Sequence, residues 1–229
     1  MVAVESKSDK AQFLTRVSFT LPGLHALLLF FILSGLILFG RDFTGAQTAA
    51  VSRNNSASYQ YSIGNYQAAI ELYTNDIKKQ PSNAKLFVGR GLAYDASRCY
   101  EEAIKDFSRA IDLQARYAFA YYARGMSYSK KGDWRNAISD LSAAITINPD
   151  DAGSYYDRGK IYLKLRSCSQ GIQDFTKFIQ LRPQDDRGYY LRAKAYHCAG
   201  DTDRAIEDLQ VAAQLGNLQA RELLEKINQ

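Results

Sequence analysis

Histidine is nearly missing from this chain: His25 and His197 are the only two. His25 lies in an apolar stretch, so imidazole catalysis or metal binding would have to rest on His197 alone. Cysteine is almost as scarce. Cys99, Cys168 and Cys198 are odd in number and show no C-x-x-C spacing, which excludes a disulfide framework and a zinc site. There is no P-loop, dinucleotide-binding glycine fingerprint, metal-binding helix motif or serine elbow. Basic residues outnumber acidic ones, 29 to 24, yet no basic run exceeds two residues. A phosphate-binding surface needs clustered cations, so nucleic acid is not expected as a partner. Asn148-Pro149-Asp150-Asp151 sets two carboxylates in a turn without the rest of a Ca²⁺ loop. No metal, cofactor or small-molecule substrate is implied, and nothing converges into an acid–base or nucleophile constellation; the chain does not read as an enzyme.

One long apolar run is present. Leu21–Phe39 is 19 residues without a formal charge. At 1.5 Å per residue it nearly spans a hydrocarbon core of about 30 Å. A cleaved signal peptide competes with this reading, with Thr44-Gly45-Ala46 or Thr48-Ala49-Ala50 as the processing site. Against cleavage stand the long preceding region, 1–20, and Arg41-Asp42 directly after the run. An uncleaved membrane anchor is the favoured reading. Lys7, Lys10 and Arg16 before it, against Arg41 and Arg53 after it, place the N-terminus in the cytoplasm and the rest on the exocytoplasmic, periplasmic-type side. Residues 40–49, rich in Gly, Thr, Ala and Gln, read as a linker.

The remainder repeats. A step of 34 residues superposes Gly91, Gly125, Gly159 and Ala193, and likewise Tyr94, Tyr128, Tyr162 and Tyr196. It also superposes Ala69, Ala103, Ala137, Gly171 and Ala205, each followed by isoleucine. Tyr121, Gly125 and Tyr128 lie on one face of a helix, and Ala137, Leu141 and Ala144 on one face of a second. Gly132-Asp133 separates the two helices, and Asn148-Pro149 ends the second. One such pair cannot bury both of its faces, so the units must stack.

This pattern resembles the tetratricopeptide repeat (TPR) family. The third unit is fullest, with Tyr121, Gly125, Tyr128, Gly132, Trp134, Ala137, Leu141, Ala144 and Pro149 in consensus columns. The resemblance implies an all-α fold, a right-handed α-α superhelix of five helix pairs; the apolar run Leu21–Phe39 adds the expectation of a single transmembrane helix before it. The units are 50–83, 84–117, 118–151, 152–185 and 186–219, approximately, within a repeat domain of 50–217. Residues 218–229 read as a capping helix, with Leu223, Leu224 and Ile227 on one side. In the fourth unit Gly171 replaces alanine and bulky Phe178 stands where alanine is usual, so it is expected to be locally the least stable.

TPR proteins bind partners in a groove lined by their first helices. Carried over by position, that groove receives Phe119, Tyr122 and Lys130 from the third unit. The fourth contributes Tyr156, Asp157, Lys160 and Lys164, and the fifth Arg187, Tyr190, Lys194 and His197. Exposed tyrosines beside lysines suit an extended peptide with some acidic side chains. The subclass that captures chaperone C-terminal tails uses Lys and Asn donors that Val88, Leu92 and Ala123 do not supply. The expected function is a membrane-anchored scaffold or assembly factor with a protein partner. A soluble exported form and a cytosol-facing, import-receptor-like form are the alternatives.

Two further columns go together. Arg90, Arg124, Arg158 and Arg192 each precede Asp106, Asp140, Asp174 and Asp208 by sixteen residues, and the first unit lacks both. They are expected to meet as a structural ion-pair ladder, within a unit or between neighbours. Cys168 and Cys198 fall in turns of adjacent units, where free thiols are expected rather than a disulfide.

Overall fold

The computed structural model describes residues 56–227. Among them are eleven α-helices and no strand. Ten form consecutive pairs: α1 (Ala57–Ser62) with α2 (Tyr66–Lys79), α3 (Ala84–Ala96) with α4 (Tyr100–Leu113), α5 (Ala118–Lys131) with α6 (Trp134–Ile147), α7 (Ala152–Lys164) with α8 (Cys168–Leu181), and α9 (Asp186–Cys198) with α10 (Thr202–Gln214). The eleventh, α11 (Leu218–Ile227), closes the series. Each helix packs on the next, and the first helices of neighbouring pairs also touch. The result is an all-helical, solenoid-like stack. Leu21–Phe39 lies outside the described residues, and among those described no helix is long and apolar enough to cross a membrane.

Local sequence explains the pairing. The turn inside every pair needs one left-handed residue, supplied by Gly64, Arg98, Gly132, Arg166 and Gly200, with φ from 58° to 83°. Glycine enters that region without steric cost; at Arg98 and Arg166 the backbone carries about 1–2 kcal/mol of strain. Asp133 and Asp201 then cap the second helices of their units, and Asn83, Asp151 and Asp185 cap first helices, each accepting a backbone N–H.

Small residues let the helices approach. Ala69, Ala103 and Ala137 are fully buried, as are Phe107, Leu141 and Phe175. A Cβ at Gly91 or Gly159 would stand 2.7 or 2.9 Å from the ring of Phe107 or Phe175. The same complementarity absorbs the irregularity of the fourth unit. Phe178 occupies the column of Ala110, Ala144 and Ala212, and the fifth unit answers with Gly188, where a Cβ would lie 2.7 Å from the Phe178 ring. The other irregularity is not compensated. Gly171 has room for a methyl group, with Gly159 O at 3.5 Å and Ala195 Cβ at 3.7 Å as nearest neighbours.

The arginine and aspartate columns meet within each of the second to fifth units, and a third column joins them. Arg158 Nε and Nη2 donate to the two oxygens of Asp174 at 2.9 and 2.7 Å, while Nη1 donates to Ser142 Oγ of the preceding unit at 2.8 Å. Arg90 joins Asp106 to Thr74, Arg124 joins Asp140 to Ser108, and Arg192 joins Asp208 to Thr176 in the same way. The four aspartates are 4–6% exposed. The Arg158 guanidinium also lies 5.8 and 5.9 Å from the rings of Tyr155 and Tyr162, within cation–π range. The recurring tyrosines therefore wall the ion pair.

Two expectations are corrected. Cys168 and Cys198 are joined as a disulfide, with Cα atoms 5.8 Å apart, rather than standing as free thiols. Stacking of adjacent units brings the start of α8 to the end of α9, which sequence separation alone concealed. In α11 the packed side is Ala220 and Leu224, resting against Ala193, Leu209 and Ala212. Leu223 and Ile227 are 38% and 50% exposed, because the apolar stripe that meets α10 is one i, i+4 pair wide. Asn217, standing where the first, third and fourth units have proline, sets the start of this helix: its Oδ1 accepts from the Ala220 amide, and its Nδ2 donates to Asp186.

Replacing Arg158 by leucine leaves Asp174 buried and unpaired, and should cost about 3–5 kcal/mol; the Arg158→Leu/Asp174→Leu pair should lose less. Chemical denaturation of the three chains measures both, and equal losses in single and double variants would contradict the clamp. Gly171→Ala should stabilise by about 1 kcal/mol, seen as a raised Tm.

Candidate protein-binding face

The proposed binding residues lie on α5, α7 and α9, the first helices of the third to fifth units. Because each first helix touches the next, side chains one repeat apart become neighbours. Tyr122 Oη donates to Asp157 Oδ2 at 2.9 Å across the junction of α5 and α7. Asp157 in turn faces Lys160 Nζ at 3.3 Å. Phe119, 46% exposed, lies 6.2 Å from the Tyr122 ring. These four form one connected group.

Tyr156 is the centre of a second group. Its ring packs 5.0 Å from Phe178, with Lys160 Nζ and the Arg187 guanidinium 5.1 and 5.4 Å from its centroid. Arg187 is held by Asp185, to which it donates at 2.8 and 2.6 Å. That hydrogen bond, with the Asp185 charge, pushes the guanidinium above its ordinary value. Around these residues lies an open cleft of about 460 Å³, bordered also by Asp151 and Arg182. Tyr190 is set apart, with Lys194 Nζ 5.6 Å from its ring. His197 is exposed near the end of α9, next to the disulfide.

Four contributors fall outside the residues that position alone identifies. Trp134, at the start of α6, carries Lys164 Nζ 4.2 Å from its ring. With Met126 and Ile161 it lines a cleft of about 210 Å³ that reaches Asp157 and Lys160. Phe178 is the floor under Tyr156. Trp134 and Phe178 belong to second helices, so a rule that counts first helices passes over them. The lone tryptophan and the oversized residue in an alanine column were the signals available.

The face is amphipathic and cationic at its ends. Lys164 and Lys194 each stand over an aromatic ring and form no ion pair among the described residues, whereas Lys160 and Arg187 have carboxylate partners. No cluster of His, Cys, Asp or Glu among the described residues could hold a metal ion. Such a surface can accept aromatic or aliphatic side chains against its rings and acidic groups at its free ammonium groups.

Comparison with known proteins follows the same lines. A family model described as tetratricopeptide repeat matches residues 54–120 and 156–220. The chain belongs to the tetratricopeptide repeat family. A second TPR repeat model covers residues 127–165. None of the curated proteins matches. Among solved structures the TPR chain is similar to a crystal structure of MamA, at 25% identity, covering 72% of this chain and 96% of that one, with a TM-score of 0.67. It is similar in fold to residues 41 to the end of MamA from Desulfovibrio magneticus RS-1, at 20% identity, 73% and 94% coverage and a TM-score of 0.66. It is also similar in fold to YrrB, described as a TPR protein with an unusual peptide-binding site, at 19% identity, 74% and 88% coverage and a TM-score of 0.65.

Burial, then the Asp157 charge and the hydrogen bond to it, raise the Tyr122 phenol well above its ordinary value. A phenol whose folded value is raised contributes stability that is intact below about pH 10 and is lost as pH climbs beyond it. Between about pH 10 and pH 12 the wild-type Tm should therefore fall more steeply than that of Tyr122→Phe. Parallel curves would mean that Tyr122 is not coupled to Asp157.

Proposed function

We propose that this TPR protein is a non-catalytic docking scaffold, which captures an extended, partly acidic peptide or protein segment along the α5–α7–α9 face. The observation that carries the reading is the run of Tyr122, Tyr156 and Tyr190. They share one column of three consecutive units, and each stands within reach of a cation or a polar partner that fixes its ring. Membership of the TPR family supports a protein partner. Tyrosine supplies apolar area and a hydroxyl at small entropic cost, which suits it to such a surface.

The setting we propose is the exocytoplasmic face of a membrane, with Leu21–Phe39 as the tether. The Cys168–Cys198 disulfide supports this side over the cytosol, where thiols are kept reduced. It favours neither the anchored nor the cleaved form, both of which reach that side. It weighs against the cytosol-facing alternative. Recruitment of an assembly or export complex is the role such a tethered scaffold would serve.

Photo-crosslinking from position 156 in the intact membrane should trap a partner. Replacing Tyr122, Tyr156 and Tyr190 together by alanine should reduce that capture at least about tenfold, while the helical circular dichroism signal is retained. Undiminished capture by the triple variant, with the probe moved to position 160, would place the binding surface elsewhere. Protease added to sealed vesicles should spare the repeats unless the orientation is cytosolic.

A further inference from the structure

The disulfide occupies a position that has a different occupant at each junction of the stack. Cys168 opens the second helix of the fourth unit, and Cys198 ends the first helix of the fifth, 30 residues on. One repeat earlier the same two positions are Trp134 and Lys164, with the ammonium group 4.2 Å from the ring. One repeat earlier again they are Tyr100 and Lys130, at 5.9 Å. At the first junction they are Tyr66 and Ala96, with no cation to place. The register is constant, so the fold brings these two columns together whatever they hold. Two central junctions fill the position with a reversible cation–π contact, and the last fills it with a covalent bond.

We propose that Cys168–Cys198 is a redox-operated clasp that fixes the fifth unit to the fourth, and that its reduction loosens this one junction of the stack. The loosened part would contain the contact between Phe178 and Gly188 and the placing of Arg187 over Tyr156. Both cysteines are half-buried, and the residues beside them, Arg166 and Ser169 at one and Ala199 and Gly200 at the other, are exposed. The chemistry is exchange with a dithiol reductant. Its thiolate attacks one cysteine sulfur, the Sγ–Sγ bond breaks as a mixed disulfide forms, and the other cysteine leaves as a thiolate that takes up a proton. The second thiol of the reductant then attacks the mixed disulfide, releasing the remaining cysteine as a thiol and closing the reductant to its own disulfide, two electrons and two protons having passed to the cysteines. Cys99 is exposed and lies in the second unit, so it does not compete for the pairing within the stack. Any effect on partner capture rests on the binding face proposed above, but the opening of the junction does not and is measured without a partner.

The test uses the full chain in detergent, oxidised and after treatment with tris(2-carboxyethyl)phosphine. Alkylation under denaturing, non-reducing conditions should label Cys99 alone in the oxidised protein and all three cysteines after reduction. Amide hydrogen exchange in the first turn of α8 and the last turn of α9 should speed up at least about tenfold on reduction, with the first three units unchanged. Cys168→Ser/Cys198→Ser should match the reduced protein and ignore the reductant. Cys168→Trp/Cys198→Lys, which installs the clasp of the preceding junction, should recover part of the protection and also ignore the reductant. Three labelled cysteines in the untreated protein, or exchange at α8 and α9 that reduction leaves unchanged, would overturn the proposal. If exchange responds as expected but capture does not, the clasp stands and the binding face is in the wrong place.

Discussion

A guanidinium that makes three hydrogen bonds to two side chains at once governs this stack. It takes both oxygens of an aspartate on the second helix of its own unit and a hydroxyl on the second helix of the unit before. The hydroxyl is otherwise committed to its own helix: those of Thr74, Ser108 and Ser142 each donate to the carbonyl four residues earlier. The arginine therefore meets a fixed acceptor, and its planar fork admits one relative placement of three helices. Apolar packing alone tolerates small slips. A buried bidentate pair does not, because a slip would leave a charge without a partner. Rigid register along α5, α7 and α9 follows, and with it the alignment of the half-buried tyrosines Tyr122, Tyr156 and Tyr190.

Most of the fold was legible in the sequence because a solenoid writes its contacts at a constant interval. The 34-residue step exposed the glycine, alanine and tyrosine columns, and the joint absence of arginine and aspartate from the first unit tied those two columns together. The hydroxyl column was equally periodic, at Thr74, Ser108, Ser142 and Thr176. It escaped notice because serine and threonine in a helix ordinarily face solvent or their own carbonyls. The first unit lacks the arginine and the aspartate, yet it supplies Thr74 to the second.

The binding face was legible by position and not by partnership. Column counting located Tyr122, Tyr156 and Tyr190, but the column gives no hint that one donates to a carboxylate, one lies on a phenylalanine and one sits beneath a lysine. Those differences come from singular residues: Asp157, Phe178 and Lys194. The disulfide is a clearer case. Two cysteines 30 residues apart on different helices look unrelated until the columns that hold Trp134 and Lys164 are seen to be in contact. What a repeat varies is harder to read than what it keeps.

The fit of Phe178 into the space at Gly188 makes the order of the units non-exchangeable. The residues in the place of Gly188 in the second, third and fourth units are Leu86, Ala120 and Ser154, each carrying the Cβ that the phenyl ring excludes. In-frame duplication or deletion, the usual way a modular array grows and shrinks, is therefore closed at this joint unless both units move as a block. The restriction belongs to this joint, because Ala110, Ala144 and Ala212 stand in the place of Phe178 in the second, third and fifth units.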